Sequence, residues 1–144
     1  MTTYHYLFYL VILAGVGQFI LCAASPFIPV VLNWPEQLRA LPKLLRQVFW
    51  TYAAYILCSH LIFAAVSVFA ARWLLDGTVM ATIMAGFMAL WWTSRLVIHL
   101  SGFDTAEVPN DGWHLWAKRG LGLLFVGLSV VYVLAVLFNF GVLG

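Results

Sequence analysis

Arg95 is the only full charge in residues 78–100, TVMATIMAGFMALWWTSRLVIHL. A guanidinium keeps its proton in proteins and offers five donors. In hydrocarbon such a charge is costly, so an intramembrane Arg reads by default as a functional site. The chemistry open to it is the capture of an oxyanion or a polar carbonyl. Counting about 1.5 Å per residue, Arg95 lies about 7–10 Å from the nearer end of its segment. Gln18 and Tyr55, in two other apolar segments, fall at a similar depth by the same count. Trp92, Arg95 and His99 share a helical face by i+3 and i+4 spacing, as do Tyr52, Tyr55 and Ser59. The favoured role of Arg95 is structural, snorkelling to the interface and pairing with Asp104. The sharper reading is a ligand-facing polar layer of Arg95, Gln18, Tyr55, Trp92 and His99.

Four histidines raise the question of haem or metal. His60 sits near mid-span of its segment and His99 near the end of the next, so the two do not share a level as axial ligands must. His99 and His114 could approach one another near Asp104, Glu107 or Asp111, but their spacing is not that of a known site. Metal is therefore not expected, and His99 and His114 are the weak candidates. His60 is the one titratable mid-span group, and an interhelical hydrogen bond is its expected role. No carboxylate falls inside an apolar run, which argues against a proton-coupled transporter. There is no GxSxG, HExxH, P-loop or GxGxxG, and catalysis is not expected.

The elements that position these residues follow from composition. The 144-residue chain is 65% hydrophobic and 8% charged, with a mean hydropathy of +1.00. Soluble domains are about 45–50% apolar and about 25% charged. Spanning a bilayer takes about 20 apolar residues, and four stretches qualify: about 6–25, 49–74, 78–100 and 115–140. The first has no basic region before it, so it reads as a retained span. The expected fold is an all-α membrane protein, a four-transmembrane-helix up-down bundle forming one domain over 1–144, with an interfacial helix between spans one and two. That helix is read over 36–47, EQLRALPKLLRQ. From Pro42 one continuous helix of about 33 residues is expected, about 50 Å long. Pro26 and Pro29 are expected to kink or end the first span, Asn33 to cap a helix, and Asp76-Gly77 to make a tight turn.

Basic residues set orientation. Arg39, Lys43, Arg46, Lys118 and Arg119 fall on one side and Arg72 on the other. Loops 25–48 and 101–114 are therefore expected in the cytoplasm and both termini outside, in the cell (inner) membrane. The same five residues are the expected interfacial lipid contacts. Tyr4, Tyr6, Trp34, Trp50, Trp73, Trp113 and Trp116 lie near the expected interfaces as aromatic anchors. Cys22 and Cys58 fall inside apolar runs and suggest no disulfide. A formal charge of +2 gives no reason to expect nucleic acid.

The run RQVFWTYAAY at 46–55, followed by Gly86-Phe87, Arg95 and Phe103-Asp104, resembles a set of small uncharacterised bacterial four-span membrane proteins. The resemblance covers about 41–104. It implies the four-span fold and carries no activity. The embedded N-terminal Glu of small multidrug exporters and the CxxC of quinone-linked thiol oxidases are both missing. The expected function is a non-catalytic subunit or scaffold of a membrane complex that binds lipid or a protein partner. The alternative is a small carrier, or a quinone- or lipid-binding protein, using the layer around Arg95. A haem or metal electron-transfer protein ranks last. No cofactor is expected, although a bound lipid or quinone fits. Partners would be membrane lipids and a larger membrane complex or a second copy.

Overall fold

The computed structural model describes residues 2–101 and 112–143, and no strand occurs among them. Helix α1 spans Thr3–Ala24 and α2 spans Ile28–Val31, joined by a 3₁₀ turn at Ser25–Phe27. Helix α3 spans Trp34–Gln37, and a second 3₁₀ turn covers Leu38–Ala40. Then come α4 at Lys43–Phe69, α5 at Ala71–Leu74, α6 at Val79–Ser101 and α7 at Gly112–Asn139. Four helical stretches, Thr3–Val31, Lys43–Phe69, Val79–Ser101 and Gly112–Asn139, are long and apolar enough to cross a membrane.

As the prolines imply, α1 stops at Ala24, just before Ser25-Pro26, and a 3₁₀ turn follows. Pro26 and Pro29 each sit in the first two positions of a new turn, where a missing N–H costs nothing. Ser25 Oγ donates to the Leu21 carbonyl at 2.8 Å across that joint. The expected single helix over 36–47 is replaced by the one-turn α3 and the 3₁₀ turn, with Lys43 and Arg46 inside α4. Asn33 adopts a left-handed conformation at φ 50° with no side-chain capping bond. The long helix from Pro42 also stops early. Ala70, at φ −123°, separates α4 from α5, so the continuous helix is 27 residues, about 40 Å. Ala71, Leu74 and Leu75 are all buried, and the break turns their apolar faces into the bundle.

Packing runs from α4 to α1, from α1 to α7, and from α7 to α6. Small residues set the closest approaches, as they do wherever helices meet in lipid. A Cβ on Gly15 of α1 would fall 2.7 Å from Val68 Cγ2, 2.8 Å from Ser67 Cβ and 3.1 Å from the Ala64 carbonyl oxygen of α4. On α6, buried Ala81, Ala85 and Ala89 let α7 bring in Phe125, Leu128, Tyr132 and Ala135. Outward positions such as Leu13, Ile20, Ile83, Leu90 and Leu123 are apolar and exposed, as a lipid-facing surface requires.

The α5–α6 connection is a tight turn, as the Asp76-Gly77 pair implies. Gly77 takes φ 73°, a conformation that favours glycine. Asp76 Oδ1 accepts from the Thr78 amide at 2.9 Å and the Thr78 hydroxyl at 2.7 Å. These bonds, the hydroxyl's first, hold the Asp76 carboxyl below its ordinary range. Asn139 closes the turn from α7: its Nδ2 donates to the Leu74 carbonyl at 2.9 Å, and its Oδ1 accepts from the Gly77 amide at 3.2 Å.

Candidate functional site

Gln18 and Arg95 do not meet. Gln18 is fully buried, and its Nε2 donates to the Tyr132 hydroxyl and, at 3.4 Å, to the Ala14 carbonyl. The Tyr132 hydroxyl is also 2.5 Å from Ser67 Oγ. One phenol thus ties α1, α4 and α7 through a buried polar node. Gln18 Oε1 is buried without a hydrogen-bond partner among the described residues. Tyr55, 64% exposed, faces away from the bundle. The structure therefore divides the expected layer, with Gln18 in the core, Tyr55 outside and Arg95 between α4 and α6.

Trp92 and His99 go elsewhere again. Trp92 is fully buried, stacked on His60 with centroids 4.8 Å apart and 5.7 Å from Phe125. His99 packs edge-on against Phe125 at 5.6 Å. A Cβ on Gly122 would sit 3.1 Å from its Nε2, so the glycine makes room for the imidazole. His99, Lys118 and Arg119 border a groove of about 510 Å³ between α6 and α7, lined otherwise by Leu96, Leu100, Leu115, Leu123 and Val126. No three His, Cys, Asp or Glu side chains among the described residues group as metal ligands.

Arg95 lines a different groove, of about 350 Å³, between α4 and α6. Its other walls are Ile56 of α4 and Phe87, Leu90, Trp91, Ser94 and Ile98 of α6. On α6, Phe87, Trp91, Ser94 and Ile98 recur at three- and four-residue spacing and form one stripe. His60 of α4 is tied to the groove wall through Trp91. Trp91 Nε1 donates to His60 Nε2 at 3.2 Å, and Phe63 packs on Phe87 and Trp91 at 5.8 and 5.6 Å. An imidazole accepting at Nε2 is neutral, with its proton on Nδ1. These bulky rings hold α4 and α6 apart, and none of α4's buried residues lies before His60, so the gap stays unfilled from there toward Lys43.

Among the described residues Arg95 has no ion pair and no hydrogen bond; the one salt bridge joins Arg39 to Glu36 at 2.9 Å. The expected pairing of Arg95 with Asp104 lies outside the described residues. Arg39 and Lys43 are exposed, as are Lys118 and Arg119, and Arg46 is half-buried. Trp91, Ser94, Ser67 and Tyr132 were not singled out by sequence. A tyrosine in the apolar run VVYVLA did carry a signal, because a buried phenol needs a partner. No protein-family model, curated protein or solved structure matches the chain.

Proposed function

We propose that the protein is a small non-catalytic integral membrane protein that seats a membrane amphiphile, a lipid or a quinone, in the groove between α4 and α6. The supporting observation is Arg95: a permanent cation in a lateral apolar groove, with no partner among the described residues. In this reading the four long helices run up and down through the cell (inner) membrane, with α3 and its following turn at the interface. The connections between the first and second long helices and between the third and fourth are cytoplasmic and the termini outside, following the basic residues. The reading as a subunit or scaffold of a larger complex draws on the apolar outer surface, which lipid alone would also cover. Arg95 favours the amphiphile.

The test is native mass spectrometry of protein purified from membranes in mild detergent. Wild type is expected to carry one amphiphile adduct that Arg95→Leu lacks. Leu90→Trp, which fills the groove and leaves the cation, should lose it as well. If both variants fold and keep the wild-type adducts, the reading is wrong.

A further inference from the structure

The polarity of the Arg95 groove runs in one direction. Phe87, Leu90 and Trp91 form one end, and Ser94, Arg95 and Ile98 lie toward Ser101. The Ser101 end of α6 is also where His99, Lys118 and Arg119 line the neighbouring groove. A phospholipid of the leaflet on that side has the same order, with a phosphate near the basic end and acyl chains toward the middle. A neutral quinone would leave the guanidinium charge uncompensated, and so would a zwitterionic lipid, whose own ammonium balances its phosphate; an anionic phosphate diester cancels it and accepts two parallel N–H bonds.

Resting on the amphiphile reading above, we propose that the groove is a site for an anionic phospholipid. Its phosphate sits on Arg95, with the Ser94 hydroxyl as a second donor. One acyl chain lies along Ile56, Leu90, Trp91 and Phe87. Arg95 stands six residues before the end of α6 at Ser101, about 9 Å along the axis. Extension of the arginine stem and local thinning of the leaflet, which also accommodate other intramembrane arginines, close that distance. The aromatic wall has a purpose in this arrangement. Trp91 spends its N–H on His60, so its face meets the chain without an unpaired donor.

The experiment uses delipidated full-length protein in mixed micelles containing phosphatidylglycerol, phosphatidylcholine or a long-chain ubiquinone, read by native mass spectrometry. The expected result is one retained phosphatidylglycerol, bound about tenfold more tightly than phosphatidylcholine. Arg95→Leu should abolish that preference, and Arg95→Lys should keep part of it. Ubiquinone held in an Arg95-dependent way, without phosphatidylglycerol, overturns the phosphate assignment and leaves the amphiphile reading standing. Phosphatidylglycerol held equally by wild type and Arg95→Leu also overturns the assignment. Displacement by millimolar inorganic phosphate overturns the commitment to a lipid. If neither lipid nor quinone depends on Arg95, both readings fall.

Discussion

Replacing Tyr132 by Phe removes one oxygen from the centre of the bundle and leaves the packing intact. Tyr132 is fully buried, and its hydroxyl meets Gln18 Nε2 and, at 2.5 Å, Ser67 Oγ. Interhelical side-chain hydrogen bonds in membranes average about 0.6 kcal/mol, with a maximum near 1.7. Two such bonds put the loss at about 1–2 kcal/mol. Gln18, Ser67 and Tyr132 are all fully buried, so bulk solvent does not replace the lost bonds. Ser67 can turn back to a carbonyl of its own helix, which moves the value toward the lower end. Gln18 keeps only the Ala14 carbonyl at 3.4 Å. Unfolding free energy in mixed micelles, from titration with a denaturing detergent followed by far-UV circular dichroism, reads the effect directly. A double-mutant cycle with Gln18→Leu should show coupling of at least ~0.5 kcal/mol. Stability within about 0.3 kcal/mol of wild type, together with no coupling, would refute the node as an interhelical tie.

Gly15→Ala should destabilise by about 1–3 kcal/mol in the same assay, because its Cβ meets Ser67 Cβ at 2.8 Å and the Ala64 carbonyl oxygen at 3.1 Å. Gly120→Ala and Gly127→Ala, with nothing within 4 Å, should be neutral or slightly stabilising; equal effects at all three would contradict the close α1–α4 contact. Asn139→Ala loses both bonds to the α5–α6 turn and should cost about 1 kcal/mol, with faster amide exchange at Gly77 as the local signature. Asp76 gives a pH dependence. Its folded-state pKa lies below its ordinary value of 3.8. Its contribution is therefore present above that value and disappears as pH falls through the lower folded pKa. The melting-temperature difference between wild type and Asp76→Asn should be visible at neutral pH and vanish at strongly acid pH. A constant difference across that range would show that the Thr78 bonds do not depend on the carboxylate.

Apolar runs of membrane length carried most of the fold. The third and fourth helices, read as 78–100 and 115–140, occupy Val79–Ser101 and Gly112–Asn139. The second was harder because the break at Ala70 follows Phe69 and precedes Ala71, with no proline or glycine beside it. Tertiary packing of Ala71 and Leu74 makes that break, and a propensity argument cannot see it. The site was less legible than the fold. Residue counting placed Arg95, Gln18 and Tyr55 at comparable depth, but depth says nothing of direction around each helix. Spacing put Trp92, Arg95 and His99 on one face. The structure sends Trp92 to His60, His99 to Phe125 and Arg95 into the groove beside Trp91. One α-helical face is wide enough to meet two neighbours, and only the neighbours' positions decide which side chain meets which.

The Tyr132 node has a consequence for biosynthesis. Gln18 and Tyr132 are 114 positions apart, and Ser67 lies between them in sequence. When α1 and α4 have been made, Tyr132 has not yet been translated. Of the bonds Gln18 makes in the folded bundle, only the one to its own helix's backbone is then available. The arrival of α7 supplies the missing hydroxyl, so a polar group of the first long helix finds its interhelical partner only when the last is made.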